Sequence, residues 1–108
     1  MKAAPQFVVV LVTAPDLKSA RRLARAALAA RLVACANLAY KLESHYWWQG
    51  KLESATEVLM FFKTSRRHLP ALEELLLSQH PYRTPEILAL PILAGSAGYL
   101  DWLAESVR

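Results

Sequence analysis

The segment from Ser44 to Thr64 most constrains how this chain can fold. Its sequence, SHYWWQGKLESATEVLMFFKT, contains an aromatic strand, a short reversal and a second long strand. Gly50 suits the reversal because only glycine adopts positive φ at little steric cost. Residues 57–63 are apolar at both parities, whereas an antiparallel strand that faces water alternates apolar and polar residues. The second strand must therefore be covered on both faces. One face carries Leu59 and Phe61, and the other carries Val58, Met60 and Phe62.

Composition limits the class of protein. The 108 residues fit one domain, and an apolar content of 55% argues against disorder. No apolar run reaches the roughly 20 residues that a membrane helix needs, and the N-terminal residues do not resemble a signal peptide. We expect a soluble cytoplasmic protein with no membrane partner. Residues 1–5 are predicted to be a disordered tail and residues 6–108 the single domain.

The charge and the cysteine content exclude several functions. The net charge is +4, from 13 basic and 9 acidic residues, but no basic cluster lies beside stacking aromatics, so we expect no nucleic-acid partner. The basic stripe at residues 18–25 is interpreted as a solvated helix face. Cys35 is the single cysteine, which excludes an internal disulfide and a Cys-rich zinc site. In its Ala-rich strand it resembles a small buried hydrophobic residue.

The remaining elements follow from hydrophobic periodicity. Strands are predicted at residues 6–13, 33–40 and 86–93, the second bending at residues 41–43 into the hairpin, and helices at 17–32, 66–78 and 99–107. The order β-α-β-β-α-β with a terminal helix is that of the α+β ferredoxin-like sandwich, here with an extended β-hairpin. That plan leaves one sheet face open and apolar. The terminal helix covers only part of it, so a closed cyclic homo-oligomer is predicted to cover the rest.

Residues in the hairpin and in the loop at 80–86 match a known pattern. They are Ser44, Tyr46, Trp48, Gly50, Lys51, Glu57, Lys63 and Thr64, then His80-Pro81-Tyr82 and Pro85-Glu86. With VTAPD, RLVACANL and YLDWL, this pattern resembles the CutA divalent-cation-tolerance family over about residues 7–107. The resemblance implies a tight homotrimer of ferredoxin-like subunits, cytoplasmic in bacteria and akin to the PII signalling trimers. It also implies a link to tolerance of copper and other divalent metals.

The resemblance also names a candidate metal ligand. Some family members have a proposed copper site with a Cys in the first strand and a His-His pair before Pro-Tyr. Here Val12, Gln79 and His80 stand at those positions, so one ligand of three is retained. His80 is therefore the candidate ligand for Cu(II) or another divalent cation. Because such metals take three or four ligands, a subunit interface would have to supply the others. The alternative is a His80 that hydrogen-bonds and fixes its loop.

Two further sets of residues are expected to lie where subunits meet. A possible inter-subunit cleft contains Tyr82, Glu57, Lys63 and Glu86, and the alternative for these residues is a buried polar network that fixes trimer register. The trimer interface is expected to contain Tyr46, Trp48, Gly50 and Phe61. Trp47 and Trp48 should point to opposite sheet faces.

The predicted function is a homotrimeric role in divalent metal ion (copper) tolerance or response, with metal bound at inter-subunit sites. A PII-like small-molecule-binding signalling trimer without direct metal ligation is the alternative. No catalytic triad, paired-carboxylate signature or cofactor loop is present in the sequence, so we expect a protein that is not an enzyme.

Overall fold

A four-stranded antiparallel sheet with two helices on one face forms the body of the protein. The computed structural model describes residues 1–108. Its strands are β1 (Lys2–Ala3), β2 (Phe7–Ala14), β3 (Cys35–Trp48), β4 (Lys51–Ser65), β5 (Ile87–Pro91) and β6 (Ala94–Gly95). Its helices are α1 (Leu17–Ala29), α2 (Leu69–Gln79), which a 3-10 turn at Arg66–His68 precedes, and α3 (Ala97–Ser106). The sheet order is β3-β4-β2-β5, with every pair antiparallel, which confirms the α+β ferredoxin-like prediction.

The core lies between this sheet and the helices α1 and α2. Even-numbered positions of β2 and β4 point toward the helices, and α1 meets them with residues spaced three or four apart. The members of this cluster with no measurable exposure are Val12, Ala14, Ala20, Leu23, Ala27, Val58, Met60, Phe62 and Leu76. A second, smaller cluster packs Phe7 against Leu100 and Leu103 of α3. One apolar face of α1 and one of α2 therefore point into this core.

Helix α1 begins at a side-chain cap and ends earlier than predicted. The Asp16 carboxylate accepts a hydrogen bond from the Ser19 N–H at 2.7 Å, which satisfies a free donor of the first turn. The helix ends at Ala29, because Arg31 takes a left-handed φ of 60°. The Leu32 N–H then bonds back to the Ala27 carbonyl at 3.1 Å, as in a Schellman motif. The prediction that the helix extends to residue 32 is wrong for this reason.

The hairpin of β3 and β4 closes through a two-residue turn. Gln49 and Gly50 have φ values of 49° and 78°, which is the pattern of a type I′ turn. A β-bulge lies between Ala39 and Leu42, where Lys41 has a φ of 66°. The bend predicted at residues 41–43 is thus confirmed as a bulge inside one continuous strand.

The N-terminal residues are ordered by a small second sheet. Residues 1–5 were predicted to be disordered, but β1 pairs with β6 through Lys2–Gly95 and Ala3–Ala94. The Ala4 N–H also bonds to the Leu93 carbonyl at 3.1 Å, and Ala4 is fully buried. A two-residue strand has no periodicity, so the sequence contains no signal for it.

The sheet face opposite α1 and α2, which we call the open face, is only partly covered. Helix α3 packs over one end, as predicted. Beyond it Leu88 of β5 is 54% exposed, Leu90 is 48% exposed and Trp48 is 48% exposed. Strand β5 is an edge strand that ends at Pro91, where the missing N–H costs no sheet hydrogen bond. None of the three helices has the length and apolar character that crossing a membrane requires.

Candidate functional site

A groove on the open face lies between the base of the hairpin and the loop at residues 81–86. Its volume is about 900 Å³. Strands β2, β3 and β4 form its floor and one wall, and the Pro-bounded loop after α2 forms the other. The residues that line it are Leu11, Thr13, Leu42, Glu43, Ser44, His45, Tyr46, Trp48, Glu57, Leu59, Pro81, Tyr82, Arg83, Thr84 and Glu86.

Glu57 and Tyr82 form the polar centre of this groove. The Tyr82 hydroxyl donates a hydrogen bond to Glu57 Oε2 at 2.8 Å, and Glu57 is only 7% exposed. Burial, together with the Glu57 hydrogen bond, raises the pKa of Tyr82 well above its usual value. Tyr82 is therefore held in its protonated form, as the donor that Glu57 needs.

The second oxygen of the Glu57 carboxylate faces the groove. The structure contains one ion pair, which joins Glu43 to His45 at 2.7 Å. It follows that no Lys, Arg or His nitrogen lies within 4.0 Å of a Glu57 carboxylate oxygen. Every fully buried side-chain oxygen has a hydrogen-bond partner, yet Oε1 has none, so Oε1 must be reachable from the groove. A largely buried carboxylate without a cation favours a positively charged ligand.

The groove is acidic although the protein is basic. Two carboxylates line it, those of Glu57 and Glu86, against the single guanidinium of Arg83. Glu43 also borders the groove, but it pairs with Thr56 and its side chain points to the opposite sheet face. Together Glu57, Glu86 and Arg83 give the groove a net charge of −1, whereas the whole chain has +4. The local charge therefore favours cations, in contrast to the anion preference that the overall charge suggests.

His80 supports the groove from behind and does not offer a free nitrogen. It is 8% exposed, and its Nε2–H donates to the Thr13 carbonyl at 2.7 Å. Its Nδ1 accepts the Tyr82 N–H at 3.0 Å, and the two rings lie 4.9 Å apart. Since both ring nitrogens are engaged within one subunit, His80 matches the predicted alternative of a histidine that fixes its loop.

The other positions of the copper site contribute no ligand here. Val12 is fully buried in the core, and Gln79 is exposed at the end of α2. No three His, Cys, Asp or Glu side chains of the chain are grouped so that they could hold a metal ion. One subunit therefore lacks a complete site for a transition metal, and further ligands would have to come from another chain.

The structure brings together three of the four predicted cleft residues. Glu57, Tyr82 and Glu86 all line the groove. Lys63 does not: it lies six residues from Glu57 on the same strand, a separation of about 20 Å. There its Nζ donates to Asn37 Oδ1 at 2.7 Å and lies 6.0 Å from the centre of the Tyr99 ring. Within one subunit Lys63 therefore does not line the groove, and its place in an inter-subunit cleft stays a prediction.

The predicted interface residues lie on or beside the groove. Tyr46 and Trp48 line it, at 41% and 48% exposure. Phe61 is half-buried on the same sheet face, and Gly50 forms the exposed turn. Trp48 pairs with Lys51 and Trp47 with Leu52, so the two Trp side chains point to opposite faces as predicted. Whether these residues form a trimer interface stays a prediction.

Cys35 occupies a more polar setting than predicted. It is half-buried, and its Sγ lies 3.7 Å from Asn37 Oδ1 and 3.9 Å from the Tyr99 hydroxyl. Burial, with Cys35 as a neighbour, raises the pKa of Tyr99. This cluster lies under α3, away from the groove.

Sequence reasoning missed several polar groove residues, among them Thr13, Glu43, Ser44, Arg83 and Thr84. The signal that would have found Ser44 is its cross-strand partner. Ser44 pairs with Ala55, two residues before Glu57, so both lie on the groove face of the sheet. Arg83 and Thr84 follow Tyr82 directly in the loop, where proximity in sequence was the available signal.

Comparison with known proteins agrees with this architecture. The sequence model of the CutA1 divalent ion tolerance protein family matches residues 8–106. The divalent-cation tolerance protein CutA of Citrobacter koseri is 51% identical over 104 residues, which cover 96% of this chain and 90% of that protein. The crystal structure of CutA1 from Oryza sativa has a TM-score of 0.92 at 41% identity, covering 95% of this chain and 94% of the other.

Two further structures extend the comparison. The divalent cation tolerance protein of Thermus thermophilus has a TM-score of 0.92 at 43% identity and covers 94% of this chain and 99% of its own. A protein described as the periplasmic divalent cation tolerance protein CutA, from Archaeoglobus fulgidus, has a TM-score of 0.91 at 37% identity, with the same coverage. The family match over nearly the whole chain, the sequence identity and the shared fold lead to one conclusion: this chain belongs to the CutA1 divalent ion tolerance family.

Proposed function

We propose that this protein acts in tolerance of divalent cations, copper among them, as a cytoplasmic homotrimer that binds the cation in the groove. One observation carries the proposal: Glu57 is a largely buried carboxylate without a cationic partner, and its Oε1 faces the groove. Glu86 also lines the groove and adds a second carboxylate. Groups from a neighbouring subunit would complete the set of three or four ligands that Cu(II) takes.

The open face supports the oligomeric part of the proposal. Leu88, Leu90 and Trp48 expose large apolar side chains on one side of the sheet, next to the groove. Hydration of an exposed apolar patch of this kind is unfavourable in free energy. Association of subunits through the patch removes it from water and so removes this cost. Light scattering should give a mass three times that of the 12.1-kDa chain. Fractionation of cells would test the compartment.

Equilibrium dialysis against Cu(II) tests metal binding directly. We expect saturable binding by the protein, loss of binding in Glu57→Gln, and unchanged binding in the matched control Glu53→Gln. Glu53 lies on the same strand and is exposed outside the groove. If the native protein binds no more Cu(II) than a denatured sample, direct ligation is excluded.

A second candidate function is that of a PII-like trimer that binds a small molecule without ligating metal. The engaged nitrogens of His80 favour it, since the residue retained from the copper site already has two partners. A volume of about 900 Å³ also lies within the range of small-molecule pockets. A thermal-shift screen of metabolites on metal-free protein tests it, because a ligand of the native state must raise the melting temperature.

A further inference from the structure

The groove combines a carboxylate that has no cationic partner with aromatic rings that have no cation against them. Tyr46, Trp48 and Tyr82 line it together with Glu57. The protein's own cation–aromatic contacts lie elsewhere, at Lys41 with Tyr40 and at Lys63 with Tyr99. Both kinds of group that attract an organic cation are therefore present in one groove, and neither has a cationic partner within the chain.

We propose that the groove binds an organic cation, an ammonium or amidinium ion attached to a flat or apolar body. The charged group would donate a hydrogen bond to Glu57 Oε1, the oxygen that faces the groove, while the apolar body packs against the aromatic wall. The proposal rests on the second candidate function, in which the groove binds a small molecule without metal, and it names the chemical class of that molecule.

The geometry of Glu57 sets the selectivity for charge. Tyr82 already donates to Oε2 at 2.8 Å, so one acceptor is used and oriented by the protein. The other acceptor lies in a residue that is 7% exposed, where little water competes with a ligand. A hydrogen bond to a charged group in such a setting is stronger than one between neutral groups.

The rest of the wall fits a ligand with an apolar body better than a bare ion. Leu11, Leu42 and Leu59 line the groove beside the aromatic rings. These side chains offer no donor atom to a metal, but they gain from contact with hydrocarbon. The absence of three grouped metal-ligating side chains points the same way.

Calorimetric titration with phenethylamine, protonated at neutral pH, tests the proposal, with the uncharged phenethyl alcohol as matched probe. The protein is treated with chelator, and EDTA is kept in the buffer, so that metal plays no part. We expect phenethylamine to bind at least about tenfold more tightly than the alcohol, as one hydrogen bond to a charged group implies. Glu57→Gln should remove this preference, and Glu53→Gln should retain it.

Equal binding of the amine and the alcohol, or no binding of either, would overturn the inference. So would a preference that persists in a folded Glu57→Gln variant. If that variant does not fold, the salt dependence of the amine's affinity in the wild-type protein decides: a decrease with added salt supports a charged contact, and no change overturns it. The outcome is separable from the proposed function, because Cu(II) dialysis that depends on Glu57 can succeed while the amine titration fails.

Discussion

Replacing Tyr82 with Phe isolates the hydrogen bond that holds the central carboxylate of the groove. The change removes the donor to Glu57 Oε2, now at 2.8 Å, and leaves the rest of the ring in place. Hydrogen bonds to charged groups contribute about 1.5–3 kcal/mol, and we expect the lower value because Oε1 is already open to the groove. With an unfolding entropy of about 2.1 cal/mol/K per residue, this loss lowers the melting temperature by about 7 °C.

Scanning calorimetry at one fixed protein concentration and pH 7 measures this difference. Tyr46→Phe is the matched control, since Tyr46 lines the same groove but is 41% exposed. We expect the control to melt within about 1 °C of the wild type, because exposed substitutions rarely change stability by more than a few tenths of a kcal/mol. Equal melting temperatures for Tyr82→Phe and Tyr46→Phe would refute the role of this hydrogen bond.

Alkaline pH provides an independent readout of the same contact. Burial and the Glu57 hydrogen bond raise the pKa of Tyr82 above its ordinary value of 10.0. As the pH rises, Tyr82 therefore loses its hydroxyl proton in the unfolded chain before it does so in the folded protein. The stabilisation of the folded state by this hydrogen bond is complete below pH 10 and decreases as the pH rises above 10. The difference in melting temperature between the wild type and Tyr82→Phe should become smaller above pH 10. A constant difference up to pH 11 would contradict this reasoning.

Three other changes probe the turn, the helix cap and the assembly. Gln49→Asn should raise stability in urea by about 1 kcal/mol, because Asn tolerates left-handed φ better than Gln; no gain would argue against strain at the turn. Asp16→Ala should lower the melting temperature at neutral pH, because the helix loses its side-chain cap. The difference in melting temperature between wild type and variant should shrink below about pH 4. The Ser19 N–H lowers the pKa of Asp16, and protonation of the carboxylate at low pH removes the cap from the wild type too. Trp48→Ala and Gly50→Val should each shift the protein toward smaller species in light scattering, and an unchanged mass in both would exclude the hairpin as the assembly element.

The order and type of the main elements were predictable because each has a strong local signal. The uncharged β-branched run of β2 and the apolar stripe of α1 specify a buried strand and an amphipathic helix. Boundaries were less predictable, since they depend on single backbone conformations such as φ of 60° at Arg31. The strand pair β1–β6 joins residues more than 90 positions apart and has no local signal.

The site was predictable in part, for reasons that are specific to each residue. Glu57 and Tyr82 were both chosen as candidates, but their contact joins positions 25 residues apart and depends on tertiary packing. Lys63 shares the strand parity of Glu57, and parity specifies a face of the sheet without specifying a distance. The bonds from His80 to Thr13 and Tyr82 depend on where α2 ends against β2, which no local pattern encodes.

The β-bulge in β3 connects the hairpin to the groove. Before it, Ala39 pairs with Leu59, and after it Leu42 pairs with Glu57, so β3 gains one residue relative to β4. Because side chains alternate with a period of two, this extra residue exchanges the two faces of the remaining arm. Without it, the residues on the Glu57 face would be Lys41, Glu43, His45 and Trp47. With it, Tyr46 and Trp48 reach that face, and the left-handed backbone at Lys41 is what brings aromatic rings to the sheet face that holds the buried carboxylate.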